Sequence, residues 1–173
     1  MNNFSFTKTL LGSIFNFKNN IGNILNTLIQ ISDSTPLLDM TDIKANLYIP
    51  KKEMLQAAPD MPRAMVTWEI NKTIDGYVYL QKLGGKMFLT KDAGLESVEF
   101  NKEVLTYASS PKLPFYLLPP NLMSWYLDQE VAPVIYIKDK RGYVVFMTTL
   151  SKEEYFRISS ELLKQIKRSG ALN

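Results

Sequence analysis

The hydrophobic period of this chain changes after residue 31, and that change limits the folds open to it. Up to residue 31 the apolar positions include Leu10, Ile14, Phe17, Ile21, Ile24, Leu28 and Ile31, separated by steps of 4, 3, 4, 3, 4 and 3. From residue 43 the step is two: Ile43, Ala45, Leu47 and Ile49, then Ala64, Val66, Trp68 and Ile70. The first spacing keeps one face of a helix toward a single partner, and the second puts alternate side chains on one face of a strand. No helix of crossover length separates the later runs, so the sheet they form is expected to be antiparallel.

The first period predicts a helix over residues 7–31, roughly 35 Å long at about 1.5 Å per residue. Leu11, Phe15, Leu25 and Ile29 widen its apolar face. Residues 1–32 carry two lysines and no acid, and the other polar positions are mostly Asn, Ser and Thr. Such a helix gains little from charge pairs and needs an apolar surface to lie on. Residues 33–42, rich in Ser, Asp, Thr and Pro, read as a linker, and residues 43–173 as the folded domain.

Within that domain Pro50 stops a first strand, and KKEMLQA allows one short helical turn. AMVTWEI and YVYLQKL read as strands. Gly84-Gly85 reads as a hairpin turn into KMFLT, and SVEF and EVLTY as a hairpin split at Asn101-Lys102. PKLPFYLLPP, with four prolines in ten residues, is expected to be extended or looped, and a short helix is expected after Pro120. VIYIKD and GYVVFMTT read as a hairpin over residues 134–149. Ser151 and Glu154 form a capping box that opens a C-terminal helix, with Tyr155, Ile158, Leu162 and Ile166 on one face and Gly170 at its end. The expected fold is α+β: an antiparallel sheet of meander and hairpins, a long N-terminal amphipathic helix, and a C-terminal helix packed on the sheet.

The composition removes several chemistries. With 46% hydrophobic residues there is material for a core, but Cys and His are both absent. That excludes disulfides, thiolate metal sites and the commonest general base. Of the acids, Asp39 and Asp42 fall in the linker and Glu96, Glu99 and Glu103 on expected strands, where solvated surface carboxylates are the ordinary reading. Gly84-Gly85-Lys86 lacks phosphate-loop spacing. No catalytic residue, cofactor or metal is therefore expected, and the chain reads as a non-catalytic interaction or assembly component, with an enzyme using these carboxylates and a metal as the least supported alternative. Asn16, Asn19, Asn20, Asn23 and Asn26 interrupt the N-terminal segment too often for a membrane span, and no basic cluster followed by a dense apolar run marks a signal peptide. The expected setting is the cytoplasm or the inside of a macromolecular assembly.

Two binding surfaces remain. One is the seam Leu10, Ile14, Phe17, Ile21, Ile24, Leu28 and Ile31, expected to dock on a protein partner or a second copy, or, with less support, on a membrane surface. The other is Lys138, Lys140 and Arg141 beside Tyr136 and Tyr143, where cations next to aromatics can hold a nucleic-acid backbone and stack bases. The segment KRGYVVF (140–146) resembles the aromatic RNA-binding strand motif of RRM domains, and NLYIPK (46–51) resembles that family's second strand motif. The resemblance implies nucleic-acid binding on a sheet surface. Val144 stands where a small residue is expected and Val145 where an aromatic should stack, so the nucleic-acid reading rests on the local chemistry rather than on the family.

Overall fold

The computed structural model describes residues 21–37, 43–58, 61–83 and 98–169. The fold is α+β, built on a five-stranded antiparallel sheet. Helix α1 covers residues 21–31 and leads directly into β1 (Ser32–Pro36). β2 (Ala45–Pro50), a short α2 (Lys52–Ala57) and the 19-residue β3 (Ala64–Lys82) follow. After α3 (Val98–Glu103) come β4 (Val104–Ala108), α4 (Lys112–Leu117), α5 (Pro120–Asp128), β5 (Val134–Phe146) and α6 (Lys152–Ser169).

β3 is the axis of the sheet. Val66 pairs with Leu47 of β2 and Val144 of β5, while Val78 pairs with Ala108 of β4 and Ile137 of β5. β5 therefore runs along one side of β3 for its whole length, with β2 and β4 end to end on the other. β1 extends the sheet beyond β2, with Thr35 opposite Leu47.

Alternation gives the sheet two apolar faces. Val66, Trp68, Val78, Leu80, Ile135, Ile137, Val144 and Phe146 face the layer of α3, α4, α5 and α6, represented by Phe100, Leu117, Tyr126, Ile158 and Leu162. Met65, Tyr79, Val134, Tyr136 and Val145 face α1 through Ile21, Leu25 and Leu28. The sheet is thus sandwiched between helices. Each aliphatic or aromatic side chain buried there contributes roughly 1.5–3 kcal/mol of transfer free energy.

Local signals hold where the chain supplies them. Ser151 N–H donates to Glu154 Oε2 at 2.9 Å and Glu154 N–H donates to Ser151 Oγ at 3.2 Å, so the capping box forms. The Ser151 N–H, and after it the Ser151 hydroxyl, hold the Glu154 carboxyl below its ordinary range. Tyr155, Ile158, Leu162 and Ile166 are all buried. The far end of α5 is tied down by Lys82, whose ammonium donates to the Leu127 and Gln129 carbonyls, where a cation suits the helix dipole. Tyr126 Oη donates to Pro133 O at 2.6 Å and accepts from Lys82 N–H at 3.2 Å, and burial raises its phenol far above the usual range.

Five segments differ from the sequence expectation. Residues 134–149 are not a hairpin: Val134–Phe146 is one strand, paired with β3 on both sides of an irregularity near Asp139. Likewise AMVTWEI and YVYLQKL belong to the single strand β3. Residues 98–103 are helical, so the expected hairpin at Asn101-Lys102 is replaced by a helix-to-strand junction. Residues 112–117 form a helical turn despite Pro114, which sits in its first turn, where the missing N–H has no helical acceptor to lose. Part of the expected linker, Ser32–Pro36, is a strand of the sheet. The Gly84-Gly85 turn and KMFLT lie outside the described residues.

Candidate functional site

The site grows from an irregularity in the β3–β5 pairing. From Glu69 to Tyr77 β3 advances eight positions while β5 moves only three, from Arg141 to Lys138. The surplus bulges out of β3 around Asn71, Lys72 and Thr73, all exposed. Opposite the bulge, Asp139 adopts φ +54°, the left-handed region that Asp tolerates better than most residues. Gly76 closes the bulge with φ +117°, and a Cβ there would lie 1.8 Å from Ser109 Oγ, so glycine is required.

The kink re-aims side chains. In a regular strand residues 136 and 143 would face opposite sides of the sheet. Here Tyr136 and Tyr143 both belong to the cluster facing α1, with ring centroids 5.9 Å apart. By alternation on either side of the kink, Lys138 follows Tyr136 and Arg141 precedes Tyr143 on that face. Bulges commonly redirect side chains in this way. Gly142 between them faces the opposite layer, where an added Cβ would meet the Trp68 ring at 1.9 Å.

These residues border a groove of about 590 Å3. Lys138, Asp139, Lys140 and Arg141 form its rim from β5, all exposed, with Tyr136 and Tyr143 behind them. Gly22, Leu25 and Asn26 of α1 and Thr73 of the β3 bulge also line it. Three cations against one carboxylate leave this stretch net positive. Tyr136 also packs against Tyr77, with ring centroids 6.2 Å apart. Burial, then the Tyr143 and Tyr77 hydroxyls and the Asp139 carboxylate, push the Tyr136 phenol up to about 12. It stays neutral, able both to donate and to accept.

All five residues expected from the sequence as a cationic and aromatic surface therefore meet in one groove, though on a kinked strand rather than at a hairpin tip. The helix seam fares differently. Ile21 and Leu28 are buried against the chain's own sheet, and Ile24 and Ile31 are half-buried. That half of the seam has an intramolecular partner; Leu10, Ile14 and Phe17 lie outside the described residues. Asn26 and Thr73 were not legible as site residues, because only the tertiary packing of α1 and the size of the bulge bring them to β5. The two segments resembling RRM motifs lie on opposite sides of β3 instead of on adjacent strands.

The acids singled out from the sequence are the remaining candidates. Glu99 and Glu103 lie on α3, and Asp39, Asp42 and Glu96 fall outside the described residues. Among the described residues no three acidic side chains gather in a way that could hold a metal ion, and no helix is long and apolar enough to cross a membrane.

No family model and no curated protein sequence matches the chain. Among solved structures, it is similar to the mycobacterial trehalose monomycolate transport factor A, TtfA, with a TM-score of 0.49 and 8% identity over 77% of this chain and 71% of that one. A likeness at that level carries no functional argument.

Proposed function

We propose that this protein is a non-catalytic binding component that holds an anionic partner in the groove between α1 and the β5 kink. The observation that carries the reading is the kink itself. It brings Lys138 and Arg141 to one face beside Tyr136 and Tyr143, an arrangement a regular strand would not give. A non-Gly residue held at positive φ costs free energy, and such strain persists where the surroundings enforce it, often at functional sites. The absence of His and Cys from the sequence supports binding over catalysis. The same proposal places the chain in the cytoplasm or within a larger assembly.

The test compares two variants of equal charge. Lys138, Lys140 and Arg141→Ala, and as control the exposed Lys52, Lys112 and Lys164→Ala, each take the formal net charge from +3 to zero. At low salt the wild type and the control should bind phosphocellulose, and the groove variant should not. Equal loss in both variants would mean that retention reflects net charge alone, and the proposal would fall.

A further inference from the structure

We propose that the groove is built for a nucleotide unit, with a phosphate between Lys138 and Arg141 and a planar base against Tyr143. This rests on the anion-binding reading above and narrows it. A bare anion or an acidic peptide would need only the cations. The groove also presents a ring that is held in place and partly open. Tyr143 is half-buried, tilted 31° to Tyr136, which is in turn backed by Tyr77. A ring already fixed by its neighbours loses little conformational freedom when a base stacks on it. Arg141 adds a planar guanidinium, suited both to bidentate phosphate contacts and to stacking.

The remaining walls fit the edge of a base. The Asn26 amide can donate and accept, and so can the Thr73 hydroxyl. The volume of about 590 Å3 lies inside the range of roughly 300–1,000 Å3 typical of sites for small organic ligands. Among the described residues, Gly22 and Asn26 on one side and Lys138 to Arg141 on the other are exposed, so a unit within a strand fits as well as a free nucleotide. Both sources share the chemistry of a phosphate next to a planar base.

The experiment titrates the full chain with fluorescent dT12, AMP, pyrophosphate and poly-glutamate at low salt. One phosphate shared by Lys138 and Arg141 and a neighbouring one met by Lys140 predict a slope of about −1.4 in log affinity against log salt for dT12, at roughly −0.7 per single-strand phosphate contact. Tyr143→Leu should weaken dT12 about tenfold, within the range for loss of one stacked base, and leave pyrophosphate unchanged; Tyr143→Phe should keep wild-type affinity. AMP binding as tightly as dT12 would assign the site to free nucleotides, and dT12 binding without AMP would assign it to single strands. Both sustain the proposal. Poly-glutamate matching dT12, or Tyr143→Leu leaving dT12 unchanged, would overturn the nucleotide assignment while the anion groove stands. No binding of any of the four would overturn both.

Discussion

Gly142→Ala separates a strand residue from a turn residue. In the register described, Gly142 lies opposite Trp68, and an added Cβ would sit 1.9 Å from Trp68 Cζ2 and 2.0 Å from Cε2. Carbon atoms in contact prefer about 3.5–4.0 Å, so the indole must move by about 1.5 Å or more. It has little room, being 2% exposed within the larger core cluster. Overpacking of this kind costs about 1–3 kcal/mol, and a rigid, enclosed ring places Gly142→Ala near about 3 kcal/mol. For a chain of this size that corresponds to a melting temperature lower by about 6–12 °C. Trp68→Phe removes the clashing ring atoms. It also removes Nε1, which is buried without a hydrogen-bond partner, so part of its packing loss is offset. Thermal denaturation of the wild type, both single variants and the double variant forms a cycle. The double variant should be more stable than the sum of the singles by at least about 1 kcal/mol. Additivity within about 0.5 kcal/mol, as found for independent sites, would refute the reasoning, because Gly142 would then be needed for its backbone and not for Trp68.

Three further outcomes follow from the same packing. Tyr79, Tyr126 and Tyr136 have phenol pKa values raised first of all by burial; since each lies above the unfolded value of about 10, their contribution is complete below about pH 10 and lost as pH rises. Tyrosinate absorbance from these residues should therefore appear together with the loss of ellipticity, and full ionisation of a folded chain would contradict this. Tyr126→Phe should cost about 1–3 kcal/mol in denaturant unfolding, because Pro133 O and Lys82 N–H lose their partner; an unchanged midpoint would show those bonds to be replaced. If the N-terminal half of the seam mediates assembly, Leu10, Ile14 and Phe17→Ala should lower the mass found by light scattering, and an unchanged mass would remove that proposal.

The sequence revealed the elements whose signals are local. The 4–3 spacing found Ile21 and Leu28, alternation found β2, Pro120 marked the start of α5, and Ser151 with Glu154 marked α6. The errors came where a polar stretch is held by distant pairing. Lys138 to Gly142 has the composition of a turn, charged and ending in glycine, and nothing nearby shows that β3 bulges opposite it to keep one strand running. Gly142 is there because Trp68 fills its side-chain space, a reason that lies more than seventy residues away in the chain. The five groove residues were found by their chemistry, but their geometry was misread, since a hairpin tip would have splayed them into solvent.

The most direct test of the groove is a map of where an anion binds. Amide spectra of the isotopically labelled chain titrated with pyrophosphate at low salt should shift at Lys138 to Tyr143, at Gly22 to Asn26 and at Thr73, and saturate together with one affinity. Shifts centred instead on the basic end of α6 at Lys167 and Arg168, or scattered over all lysines without saturation, would contradict the account.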